Sequence, residues 1–170
     1  MEHAPAFPTG HVQYRRATIN DCAAVRSMIL RCSAESLYAR FLTVVAPETA
    51  ALRMLDGFGS ESATWRLAEV NRSVIAIGAT HMFDDGSAEI SILVEDLWQR
   101  RGVATGLLPD LVEDARVRRA PRIWATALGE RMPIIRKLAE GLGGSLQVSI
   151  SAGIAEMTAE LPALRARKAS

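Results

Sequence analysis

No stretch of this sequence is apolar for long enough to cross a bilayer as a helix, which takes about 20 predominantly apolar residues. Met1 to Gly10 lacks the apolar centre of an export signal, and its Pro5, Pro8 and Gly10 read as a loose tail. An excess of one charge is missing as well. Twenty basic against 19 acidic residues leave a net charge of +1, which removes any general drive toward nucleic acid or an anionic membrane surface. Cysteine is scarce. Cys22 and Cys32 fall on what reads as one helix, roughly 15 Å apart along its axis and too far for a disulfide. They read as packing residues in a reducing compartment, so a cytoplasmic location is expected. His3, His11 and His81 do not cluster at ligand spacing, and no metal is expected. There is no internal repeat and no low-complexity tract. Any partner must therefore be argued from a site and not from bulk composition.

What is present suffices for one domain: 170 residues with 49% hydrophobic content can bury a substantial core. That domain is expected over 12–161, between a flexible tail at 1–11 and a basic, solvated tail at 162–170 with Arg165, Arg167 and Lys168. Val12 to Ala17 reads as a first strand, and Thr18 with Asp21 as a capping-box helix start. Cys22, Val25, Ile29 and Cys32 then lie on one helical face. Ser33 can cap a second helix through Phe41, and Pro47 opens a third ending near Gly57. Tyr38 and Arg40, on the second, form either an ordinary half-exposed helix face or the side of a substrate site. Thr64 to Val70, Ser73 to Thr80 and Ala88 to Val94 follow as an antiparallel meander, joined by Asn71-Arg72 and Asp84-Asp85-Gly86 turns. Next come a helix from Val103 to Arg118 and a strand from Arg122 to Ala127, which complete a strand, crossover helix and parallel strand. Pro109 inside that helix should kink it. A helix from Arg131 to Leu142 and strands Leu146 to Ile150 and Ile154 to Glu160 close the domain.

The informative stretch is Ile90 to Gly106, ISILVEDLWQRRGVATG: a buried strand, a polar elbow, then a turn that opens a helix as Q-x-x-G-x-A. Helix N-terminal N–H groups lack intrahelical partners and sit at the positive end of the dipole, so an unobstructed turn there can wrap a pyrophosphate. Gly102 allows close approach, Ala104 adds little bulk, and Arg100 and Arg101 bring positive charge. Lys-Ser/Thr is missing after the glycine, which excludes a Walker loop, and the further glycines of a dinucleotide fingerprint are missing too.

The strand, Gln99, Gly102, Ala104 and the helix after them resemble the acetyl-CoA-binding motif of the GNAT N-acetyltransferase superfamily, and the order of elements agrees from Val12 to about Leu161. CSAESLYARFL and AEISILV resemble in particular the branch in which this domain is joined to acyl-CoA-synthetase-like chains and acetylates protein lysines. The resemblance implies an α/β (α+β) GNAT fold, a mixed twisted sheet of about seven strands splayed between the fourth and fifth and flanked by helices. It implies acetyl-CoA as co-substrate. Ile92, Leu93 and Val94 would meet the pantetheine, while Gln99, Arg100, Arg101, Gly102, Val103, Ala104 and Thr105 would hold the pyrophosphate. Val94 N–H would face the thioester oxygen and Glu89 would act as general base, with Glu95 and Asp96 as further carboxylates at the cleft mouth. The acceptor would be a primary amine, a protein lysine or a small amine, and a homodimer is compatible with the pattern. Two residues that many relatives carry are missing: Arg131 or Met132 stands where they have Asn, and Ala139 where they have the Tyr that protonates the thiolate. A non-catalytic acyl-CoA-binding regulatory domain is the alternative reading.

Overall fold

The computed structural model describes residues 10–129 and 146–161. Four helices and seven strands are found there: β1 (Gln13–Arg16), α1 (Cys22–Leu30), α2 (Ala34–Phe41), α3 (Pro47–Asp56), β2 (Ala63–Val70), β3 (Ser73–Met82), β4 (Ala88–Val94), α4 (Val103–Val117), β5 (Arg122–Leu128), β6 (Leu146–Ser151) and β7 (Ile154–Glu160). The strands form one mixed sheet in the order β1-β2-β3-β4-β5-β7-β6. Only β4 and β5 are parallel, as the crossover through α4 requires. The two tails and the expected Arg131 to Leu142 helix, with Arg131, Met132 and Ala139, lie outside the described residues.

Both faces of the sheet are covered. On one, α4 presents Val103, Leu107, Leu111 and Ala115, the stripe expected from their spacing, to Ile75, Ile90 and Ile123. On the other, α1 and α3 bury Val25, Met28, Ile29 and Met54 against Leu67, Ile77 and Leu93. The alternation along β4 explains the division: Ile90, Ile92 and Val94 belong to the α4 side, and Leu93 to the side of α1 and α3. Close approach of α4 to β3 needs Gly78, where a Cβ would meet Leu111 Cδ1 at 2.7 Å. Thr80, fully buried, donates to the Leu111 carbonyl at 2.8 Å and fixes the same contact.

Local signals account for most boundaries. Thr18 N–H donates to Asp21 Oδ2 at 2.7 Å, Ser33 Oγ accepts from Ser36 N–H at 3.2 Å, and Pro47 opens α3. Asn71 and Arg72 both adopt positive φ, 50° and 66°, in the turn between β2 and β3. One expectation is corrected: a single helix does not carry both cysteines. Helix α1 ends at Leu30, because Ser33 starts α2 and the chain must turn between them. Cys32 lies in that turn, still buried, with its Sγ 3.5 Å from the Met28 carbonyl it donates to. Pro109 is accommodated inside an uninterrupted α4.

Candidate active site

Strands β4 and β5 pair only at Ala88 with Ile123 and Glu89 with Trp124. Beyond that point they diverge, while the other edge of β5 stays paired with β7 from Arg122 to Leu128. The opening is a cleft of about 580 Å³, lined on one side by Glu89 to Val94 and on the other by Ile123 to Ala127, within the size range of small-molecule sites.

The ladder between β3 and β4 decides which main-chain groups face this cleft. Phe83 N–H donates to Ser87 O at one end and Glu95 N–H to Ile75 O at the other, both at 2.9 Å. In an antiparallel pair, hydrogen-bonded and non-hydrogen-bonded positions alternate. With the register Glu89 to His81, Ser91 to Ala79 and Leu93 to Ile77, those residues turn their N–H and C=O groups toward β3. Ile92 and Val94 therefore turn theirs toward the side from which β5 has departed. Gln99 Nε2 donates to the Val94 carbonyl at 3.0 Å, so at that residue the N–H is the group left for a ligand.

The far end of the cleft is the start of α4. Gly102 is its N-cap at φ 80°, with no capping side chain, and Gly106 N–H is bonded to Gly102 O. The amides of Val103, Ala104 and Thr105 thus precede the first intrahelical bond. All three residues line the cleft, and a Cβ added at Gly102 would meet nothing within 4 Å. Arg100 also lines it, at φ 59°. A bare helix N-terminus with no acidic residue in its first turn suits a diphosphate, and the residues present fit one.

The structure brings together Glu89, Ile92, Leu93, Val94, Gln99, Arg100, Gly102, Val103, Ala104 and Thr105 around one cavity. Arg101 does not line it; its guanidinium sits 5.5 Å from the centre of the Trp98 ring. Gln99 is there as a brace, its amide bridging Ser36 Oγ at 2.7 Å and Val94 O. Glu95 and Asp96 are not at the cleft. Glu95 is buried in a two-pronged pair with Arg31 at 2.7 and 3.0 Å. Asp96 caps α2, accepting from Ser33 N–H at 2.8 Å and from the Ser33 and Ser36 hydroxyls at 2.5 and 2.8 Å. Burial alone would raise its pKa, but the hydrogen bonds from Ser33 and Ser36 outweigh it, and the carboxyl lies below its ordinary range.

Glu89 is half-buried between two register partners, His81 on β3 and Trp124 on β5. Phe83 contacts both rings, at centroid distances of 5.1 and 5.4 Å. Arg40, from α2, lines the same region and donates to Ser91 Oγ at 2.9 Å. Burial holds its guanidinium below the usual arginine range, against the pull of the Glu89 charge. The sequence signalled this surface through Glu89 on β4 and through Arg40, read as either a half-exposed helix face or the side of a substrate site. The aromatic neighbours on β3 and β5 carried no such signal.

Residues 30–139 match the model of the acetyltransferase (GNAT) family. The chain belongs to that family. A GNAT acetyltransferase is an acetyl-CoA-dependent N-acetyltransferase, and the splayed β4 and β5 are its sheet. Among solved structures, the GNAT domain of S. lividans PAT is 25% identical, with a TM-score of 0.74 over 88% of this chain and 90% of that one. A GNAT superfamily phosphinothricin acetyltransferase from Sinorhizobium meliloti, in complex with AcCoA, is 21% identical, with a TM-score of 0.70 over 90% of each chain. A ribosomal-protein-alanine N-acetyltransferase from Brucella melitensis is 20% identical, with a TM-score of 0.64 over 88% of this chain and 99% of that one. No curated protein sequence matches the chain significantly. Among the described residues, no helix is long and apolar enough to cross a membrane.

Proposed function

We propose that this GNAT chain acetylates a primary amine in the cleft between β4 and β5, with Glu89 as general base and the Val94 N–H as the donor facing the thioester oxygen. Acetyl-CoA supplies an acyl group already activated as a thioester. The amides of Val103, Ala104 and Thr105 hold its pyrophosphate, beside Arg100 and Gly102, and the main-chain edge of Ile92 and Val94 pairs its pantetheine. A lysine-like amine, with a reference pKa near 10.4, reaches the cleft mostly protonated. Glu89 takes that proton, the neutral amine attacks the thioester carbonyl carbon, and the Val94 N–H meets the negative charge that develops on oxygen. Collapse then forms the amide and breaks the C–S bond, the second proton shed by nitrogen going to the departing CoA thiolate.

The observation that carries this reading is the coincidence, in one cavity, of an unpaired strand edge, a bare helix N-terminus and a half-buried carboxylate. The segments Cys32 to Leu42 and Ala88 to Val94 support a protein lysine as the acceptor class. The two cysteines, both free thiols, support a cytoplasmic site of action. The test is release of free thiol from acetyl-CoA with a panel of lysine peptides and small amines. Thiol release that depends on the amine supports acetyl transfer. Binding of acetyl-CoA without any thiol release would overturn it in favour of a non-catalytic acyl-CoA-binding domain.

A further inference from the structure

Most arginines with described interactions are committed to carboxylates. Arg15 holds Asp21 and Glu69, Arg31 holds Glu95, Arg66 holds Asp114 and Arg122 holds Asp85, all at 2.5 to 2.7 Å. Arg40 differs. It lines the cleft, is partly buried, and among the described residues has no carboxylate at ion-pair distance. Its described hydrogen bond uses one Nη2 proton, on Ser91 Oγ. A guanidinium has five donors in a fixed fork, so most of its capacity is open. None of these donors is buried without a partner, so the open ones face the cleft and are available to an anion that enters it. The position of Arg40 is set by both ends of its surroundings: helix α2 is tied to the end of β4 by Asp96 and Gln99, and the guanidinium packs 5.4 Å from the Phe41 ring centre.

We infer that Arg40 is the anion-binding residue of the acceptor subsite and that the amine accepted carries a carboxylate close by. The inference rests on the acetyltransfer reading above for the identity of the acceptor. Ser91, which Arg40 holds, and Glu89 are two residues apart on one face of β4, so their side chains are spaced by roughly 7 Å. An amine at Glu89 and a carboxylate at Arg40 can then belong to one compact molecule. The same chemistry has two sources: a free amino acid, or a protein lysine with an acidic residue beside it. A carboxylate bound bidentately by the guanidinium would also fix the acceptor's orientation, which a lone ammonium group cannot do.

The experiment compares matched acceptors: 6-aminohexanoate with hexylamine, free lysine with lysinamide, and lysine peptides with Asp or Ala on either side of the lysine. In the wild type the carboxylate-bearing member of a pair should have the higher kcat/KM, mainly through KM. In Arg40→Gln that preference should fall by roughly 10- to 100-fold, the size expected for losing charge-assisted hydrogen bonds. Arg40→Lys should restore it in part. Whichever pairs show the preference identify the source. A preference unchanged in Arg40→Gln, or an effect confined to the KM of acetyl-CoA, overturns the assignment. Direct binding separates it from the functional reading. Glutarate titrated into the CoA-saturated wild-type protein should bind, and into Arg40→Gln should not, whether or not thiol is ever released. If glutarate binds and no amine gives thiol, acetyl transfer fails and the anion site stands. If glutarate does not bind the wild type, the anion site fails.

Discussion

At the scale of single residues, the difference between Glu89 and its two acidic neighbours in sequence is one of occupation. Glu95 spends its oxygens on Arg31, and Asp96 spends its own on Ser33 and Ser36. Glu89 lines the cleft, half-buried, beside His81 and Trp124. Glu89→Gln keeps the volume and removes the proton acceptor, so kcat should fall by roughly 10²-fold or more. Acetyl-CoA affinity should hardly change, because the groups that would hold it are elsewhere, and raising the pH should recover part of the rate as more amine becomes neutral. Wild-type kcat in Glu89→Gln at neutral pH would remove Glu89 from the chemistry. A second residue-scale prediction concerns Cys32, whose thiol is pushed up to about 12, chiefly by burial and further by the Asp96 and Glu95 charges. It should resist alkylation in the native protein while the half-buried Cys22 reacts, and mass spectrometry of iodoacetamide-treated protein with and without denaturant checks this. Strand alternation placed Glu89 on the face away from Ile90 and Ile92, and the resemblance of its segment singled it out as the base. The partners that exclude Glu95 and Asp96 come from Arg31 and Ser33, more than 60 residues away, and no local pattern reports them.

Elements were legible where a period or a cap specifies them and illegible where a distant partner does. The stripe of α4 and the alternation of β4 are local facts, and both are found in the fold. The end of α1 before Cys32 is not such a fact, nor is the placement of β7 between β5 and β6. The contact of α4 with β3 can be tested at Gly78, where Ala would drive a methyl group into Leu111. Overpacking of this kind costs about 1 to 3 kcal/mol, so Gly78→Ala should lower the midpoint of urea unfolding with little change in slope. An unchanged midpoint would mean that α4 shifts away freely. The N-terminal edge gives a pH-dependent case. Asp21 is held well below the usual carboxylate range, first by its hydrogen bonds from Arg15 and further by Thr18. A depressed folded-state value stabilises the protein above the unfolded carboxylate value of about 3.9, and that stabilisation is lost as pH falls through the folded value. Asp21→Asn should therefore be less stable at neutral pH and lose less stability between about pH 5 and 3 than the wild type. Parallel stability curves for the two proteins over that window would show that Asp21 contributes nothing through its charge.

At the scale of the whole molecule, the cleft exists because the sheet is held from both faces while its middle is left unpaired. Helices α1 and α3 fix β3 and β4 from one side, and α4 fixes them from the other. Beyond Glu89 nothing described pairs β4 to β5. A ligand laid between them would take hydrogen bonds the sheet itself does not make, so binding should couple to global stability and not merely to a loop. A ligand that binds only the folded state adds about 2.7 kcal/mol at 100 times its Kd. For a chain of this size that corresponds to a rise in Tm of roughly 5 to 10 °C. Gly102→Glu should abolish the rise, because the side chain enters the open space in front of the Val103 to Thr105 amides and sets a carboxylate where the phosphate would lie. The positive φ of Gly102 adds backbone strain to any substitution there. Gly102→Ala is therefore the control: it carries the strain without the charge or the length, and should keep much of the shift. Differential scanning fluorimetry at saturating acetyl-CoA distinguishes the three proteins. A full shift in folded Gly102→Glu would place the cofactor away from α4, and loss of the shift in Gly102→Ala alone would point to strain in the turn and not to occupation of the anion site.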